Sequence, residues 1–243
     1  MWPLPAAEVL VLVATATGAA AVAAVTGFGG AILLLPVLVW RFGVRDAVPI
    51  LTIAQLVGNG SRVWFNRGVV DGRVVGWYSV GAVPLALIGG AIFSAAPLGW
   101  LKRGIGLFLV AVPVYRRLGG RYPRCPARAF AAVGGGASLL SSLVGSTGPV
   151  TAPFFLAYGL SRGAYIGTEA AATVVTHVFK LAAYGSTGLL SGRVVVAGLL
   201  LSPCMVVGSW LGRRLLDRLS DRWFAGIVET VMAAVGLWFL VSG

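Results

Sequence analysis

The chain has 243 residues, 58% of them hydrophobic and only 11% charged, with a mean hydropathy of +0.92. Soluble domains run near 45–50% apolar and about 25% charged, so a water-soluble globular protein is excluded, and the same numbers exclude intrinsic disorder. Nineteen Lys and Arg against seven Asp and Glu give +12, but the cations lie in short links between long apolar runs, which suits the orientation of membrane spans rather than nucleic-acid binding.

Taken in chain order, the N-terminal MWPLPAAE has no positive stretch ahead of its apolar run, so the first segment is expected to stay in the mature protein. Residues 9–40 are 32 uncharged residues interrupted by GFGG at Gly27–Gly30, too long and too broken for one straight helix. Three helical spans are expected next, at 47–66, 74–93 and 97–115, followed by an arginine-rich loop at 116–128. A second uncharged run, 129–161, has 33 residues and its own interruption, GSTG at Gly145–Gly148; spans at 164–184, 194–212 and 223–241 follow. Pro36 and Pro153 trail the two glycine motifs, and Gly72-Arg73-Val74-Val75 recurs as Gly192-Arg193-Val194-Val195. These landmarks indicate an internal duplication: a first repeat 1–115, a basic linker 116–128 and a second repeat 129–243. Cys125 and Cys204 have no metal-ligand spacing, and neither a metal nor a cofactor is expected.

Loop charge decides between parallel and inverted repeats. Arg62 and Lys180 lie within spans and are left out. If each interrupted run crosses the membrane, the two sides carry eight and nine cations. If each is a re-entrant hairpin, the split is twelve against five, as the positive-inside rule requires. The expected fold is therefore an all-α polytopic membrane protein of two inverted repeats, each a broken or re-entrant helical hairpin plus three transmembrane helices. Loop 116–128 is then cytoplasmic and both termini lie on the outer side.

Backbone that stops being helical inside a bilayer is tolerated only where it is buried in protein or lines a wet cavity. A half-helix starting after each glycine motif would aim its first N–H groups and the positive end of its dipole at the midplane, which makes an anion site. The spans that follow carry matching polar stripes. Thr52, Gln55, Asn59, Arg62 and Asn66 share one face, as do Glu169, Thr173, Thr176, His177, Lys180 and Tyr184. Asn59 and His177 each lie 32 residues after the first glycine of their motif, and Arg62 and Lys180 each lie 35 after it. Intramembrane cations are costly and normally face a protein interior or a cavity. Ser146 and Thr147 add hydroxyls to the second motif. Packing alone also accounts for glycines and serines, and Lys180 has Glu169 three turns away as a structural partner. No carboxylate pair, Ser-His-Asp arrangement or phosphate loop is present in the sequence, so an enzyme is not expected.

TGFGGAILLLPVL at 26–38, SSLVGSTGPVTAPF at 141–154 and the polar spans after them resemble the TauE/SafE family of sulfite and organosulfonate exporters. The resemblance implies a multi-spanning inner-membrane secondary transporter that exports a small sulfur-containing anion such as sulfite or sulfoacetate; an anion-selective channel with the same centre is the alternative. In this reading Gly27, Gly29, Gly30, Gly145 and Gly148 let the backbone approach the anion. Ser146, Thr147, Asn59 and His177 donate hydrogen bonds, and Arg62 and Lys180 attract it. Glu169, His177 and Glu229 are the candidates for any proton coupling. The expected partners are the bilayer and the anionic substrate; a homodimer is one option for the assembly.

Overall fold

The computed structural model describes residues 5–93, 125–145 and 148–218, with single positions at 110, 114, 223, 226, 230, 233, 234, 237 and 241. Among these the regular secondary structure is entirely helical. Seven α-helices are α1 (Ala6–Thr26), α2 (Gly30–Asn66), α3 (Gly72–Ile92), α4 (Phe130–Val144), α5 (Gly148–Tyr158), α6 (Arg162–Ser186) and α7 (Gly192–Leu216). By length and hydropathy α1, α3 and α7 are each able to cross a membrane. The expected spans 97–115 and 223–241, and the linker up to residue 124, lie outside the described residues except for single positions.

Both glycine motifs break the helix. α1 ends on Gly27 in the left-handed region, φ 84°, with its N–H bonded to Ala23 O, and Gly29 (φ 89°) then opens α2. α4 ends identically on Gly145, φ 84°, with its N–H bonded to Ser141 O. This is the ending that only glycine adopts without a Cβ penalty. α2 is itself two segments, 30–42 and 44–66, because Gly43 has non-helical φ 74° and ψ 162°. Its second segment corresponds to the span expected at 47–66. The two GRVV landmarks both open helices behind an oxygen-bearing cap: the Asp71 carboxylate accepts from Arg73 and Val74 N–H, and Ser191 Oγ from Val194 N–H. The spans expected from 74, 164 and 194 start about a turn or less earlier, at Gly72, Arg162 and Gly192. Side-chain caps set the first and last of these starts, whereas Ser161 ahead of α6 makes no capping side-chain hydrogen bond.

Each broken run folds back on itself. Glu8 near the start of α1 pairs with Arg41 near the end of the first segment of α2, Oε2 to Nε 2.5 Å. Phe130 at the start of α4 packs on Tyr158 at the end of α5, ring centroids 5.7 Å apart and edge-on, and on Phe155 at 4.8 Å. The hairpins lean on elements from the other half of the chain: α1 packs most extensively against α7, and α4 against α3. α2 meets α6 and α7, and α6 also meets α3. These crossings are close because small residues line them. A Cβ added at Gly208 or Gly212 of α7 would collide with the carbonyl oxygens of Thr17 and Ala21 in α1, and one at Gly134 of α4 with that of Tyr78 in α3.

Candidate functional site

The two hairpin tips meet. A Cβ on Gly148 would strike Phe28 Cβ, and Gly145 lies against Leu35 and Leu51. Between them is a small, partly open cavity of about 30 Å³. It is lined by Phe28, Gly29, Gly30 and Ala31 of the first tip and Ser141, Gly145 and Gly148 of the second. Gln55 and Asn59 of α2, and Glu169, Thr173 and His177 of α6, close its remaining sides.

The α2 and α5 N-termini therefore open onto this space, with the first-turn N–H groups of α2 at Gly30 and Ala31 among them. Such ends carry unsatisfied donors and partial positive charge. His177 is 4% exposed, and its Nδ1 has no hydrogen-bond partner. Buried polar groups are normally paired, so this imidazole nitrogen, on a side chain lining the cavity, is unfinished business for a ligand or a water.

The stripes divide by task. Gln55 and Thr173, each 28 residues after the first glycine of its motif, face the cavity with Asn59 and His177. Other members knit helices together: Thr176 Oγ1 bonds Ser138 Oγ at 2.7 Å and Tyr78 OH at 3.3 Å, and Tyr184 OH donates to Ser142 O at 2.9 Å. Thr52 and Asn66 hydrogen-bond backward to carbonyls of their own helix.

The two cations hold equivalent places. Arg62 Nη1 donates to Ala23 O and Gly27 O, both at 2.9 Å, and Nη2 donates to Asn59 Oδ1. Lys180 Nζ donates to Ser141 O at 2.9 Å and Ser141 Oγ at 3.2 Å. Each cation thus satisfies carbonyls at the C-terminal end of the helix that its own half breaks, where the macrodipole is negative. Neither lines the cavity directly; they stand behind its walls. Thr52 and Thr176 have no polar counterpart in the other half, where Ala170 and Gly58 stand, and Glu169 is the acidic departure from the matched pattern. Its Oε1 accepts from Thr173 Oγ1 at 2.9 Å and its Oε2 lies 3.6 Å from Arg62 Nη1, whereas the corresponding position in the first half is Leu51.

Of the residues expected at the site, Gly29, Gly30, Asn59, Gly145, Gly148 and His177 line the cavity, Gly27 forms the turn beside it, and Arg62 and Lys180 brace it. Ser146, Thr147 and Glu229 lie outside the described residues. Gln55, Thr173 and Ser141 were not singled out as binding residues, although the shared spacing of the first two was visible in the sequence. Among the described residues no cluster of His, Cys, Asp and Glu could hold a metal ion.

The family described as sulfite exporter TauE/SafE matches residues 11–239, nearly the whole chain. The chain belongs to the TauE/SafE family. No curated protein and no solved structure matches it. TauE/SafE membership makes the chain a membrane protein of a transporter family. Its extent runs from α1 through both glycine breaks and past the end of α7.

Proposed function

We propose that the protein is a secondary transporter of the inner membrane that exports a small sulfur-containing anion, sulfite or a sulfonate such as sulfoacetate. The anion passes a midplane site between two inverted repeats, 1–115 and 129–243. The observation that carries this reading is the meeting of two broken hairpin tips on one buried cavity. There two helix N-termini face matched hydrogen-bonding pairs, Gln55 with Thr173 and Asn59 with His177.

Gly29, Gly30, Gly145 and Gly148 keep the walls free of side chains, so backbone N–H groups replace part of the anion's hydration shell. Gly27 turns the chain, and Ser146, Thr147, Asn59 and His177 donate hydrogen bonds. Arg62 and Lys180 supply attraction through the wall while holding the tips in place. The chain then moves its solute without changing it chemically. Export of a monoanion from a negative interior is favoured by about 2.3 kcal/mol per 100 mV, so proton coupling through Glu169, His177 or Glu229 is not required.

The test is flux in proteoliposomes. Saturable sulfite or sulfonate efflux that is stimulated by the same anion outside is expected, and it is expected to be lost in folded Asn59→Ala/His177→Ala protein. Unitary currents would favour the channel, and undiminished flux in the double variant would remove those two residues from the site.

A further inference from the structure

Away from the hairpin tips, a groove of about 200 Å³ runs along the crossing of α1 and α7. Its walls are apolar: Val9, Leu12 and Val13 of α1, Ala197 and Leu200 of α7, and Phe42 at the end of the first segment of α2. Val13 and Leu200 are 40% and 58% exposed, so the groove opens onto the surroundings of two helices able to cross a membrane. An apolar groove does not hold water. The second hairpin fills its own mouth. Counted from the first glycine of each motif, Leu12, Val37 and Trp40 hold the places of Phe130, Phe155 and Tyr158, whose rings pack together. Trp40 is instead 67% exposed, and the first hairpin leaves its groove to another occupant. Charge marks one end of that groove. The guanidinium carbons of Arg41 and Arg193 lie 5.6 and 5.7 Å from the centroid of the Phe42 ring. Arg41 is neutralised by Glu8, whereas Arg193 is exposed and, among the described residues, pairs with no acidic side chain. Arg193 also stands one turn before Ala197 on α7, so its charge tops the apolar wall.

We propose that this groove is a binding site for an anionic glycerophospholipid, with one acyl chain lying between α1 and α7 against Val9, Val13 and Leu200 and the phosphate group held by Arg193. The two parts of the site match the two parts of such a molecule. The apolar walls take the chain for the same reason that they exclude water, and the uncompensated guanidinium takes the negative headgroup. Phe42 holds that guanidinium over its ring at the groove's end, between the apolar and the charged part. A zwitterionic lipid fits the walls equally well but brings its own cation, so only the headgroup contact separates the two. Because one wall comes from the first half of the chain and the other from the second, the bound lipid fastens the first hairpin to α7. The site is separate from the cavity at the tips, and the proposal does not depend on what that cavity carries.

The test uses full-length protein purified in detergent and two probes with identical acyl chains, phosphatidylglycerol and phosphatidylcholine. Binding is read by native mass spectrometry and by thermal shift, since a ligand stabilises the state it binds. The wild type is expected to bind one phosphatidylglycerol at least about fivefold more tightly than phosphatidylcholine. Arg193→Gln is expected to bring the two lipids to about equal affinity by weakening phosphatidylglycerol alone. Leu200→Trp, which fills the groove from an exposed position, is expected to weaken both lipids. A wild type without preference between the lipids overturns the proposal whether or not either variant folds. So does a preference that survives in folded Arg193→Gln, because the headgroup is then held elsewhere, and so does binding of both lipids undiminished in folded Leu200→Trp. A dimer that binds no lipid and that Leu200→Trp converts to a monomer also overturns it, because a second copy of the chain then covers the groove.

Discussion

The first hairpin and the second do the same work with different residues. Both end a helix on a left-handed glycine four residues after a carbonyl that takes the capping N–H, and both bring a cation from 35 residues downstream onto that helix end. The first uses a planar guanidinium that reaches two carbonyls at once. The second uses an ammonium that gathers the carbonyl and hydroxyl of one serine. At the mouths the contrast is sharper: Glu8 and Arg41 close the first as an ion pair, while Phe130, Phe155 and Tyr158 close the second as packed rings. What the two halves share is the position of a need, namely last-turn carbonyls with capacity for a further donor at a break inside a membrane protein. Any donor of the right reach can meet it.

The comparison can be broken most severely where the hairpins rest on their partners. Gly208→Val in α7 and Gly134→Val in α4 each drive a side chain into a facing backbone carbonyl. Both are expected to cost more than about 4 kcal/mol, enough to prevent recovery of folded, monodisperse protein in detergent. If one folds normally, the two hairpins are not held by equivalent crossings.

A smaller and more discriminating effect is expected at the cations. Arg62→Met leaves Glu169 buried without its counter-charge, and its expected cost is about 3–5 kcal/mol. Lys180→Met removes the second donor from the Ser141 carbonyl, which keeps the Gly145 N–H, and the contact to its hydroxyl, about 1–3 kcal/mol. Thermal unfolding should therefore rank Arg62→Met below Lys180→Met, and Glu169→Leu added to Arg62→Met should recover most of the difference. Equal losses would mean that Glu169 and Arg62 do not interact.

The smallest change sharpens the likeness. Ser141 occupies the place that Ala23 has in the first half, so Ser141→Ala makes the second brace resemble the first. It removes one hydrogen bond to Lys180 and keeps the other, for about 0.5–1.5 kcal/mol of stability. A loss as large as that of Lys180→Met would show that the hydroxyl, not the carbonyl, anchors the lysine.

Much of this arrangement was legible in the sequence for a specific reason. Glycine in a long apolar run has few uses, and a pair of such breaks is followed at equal distances by Asn59 and His177, and by Arg62 and Lys180. The expected helices at 74–93, 164–184 and 194–212 emerged with boundaries shifted by a few residues; the first and third start earlier because Asp71 and Ser191 cap them. Less legible was which stripe residues face the cavity. A helical face about 100° wide can point at a cavity along one edge and at a neighbouring helix along the other. Thr173 and Thr176 are only three residues apart, yet the first lines the cavity and the second bonds Ser138 and Tyr78.

By itself the sequence determined that this chain lives in a bilayer, that it is helical, and where its helices must break. Those follow from local composition and periodicity, which depend only on neighbours along the chain. Only the tertiary structure decided what the two intramembrane cations touch: carbonyls 39 residues away in sequence, reached because each hairpin folds back beneath its own downstream helix. It also decided that Glu169 comes within 3.6 Å of Arg62 from the first half of the chain. Such pairings are set by packing between distant elements, and no periodicity within either element encodes them.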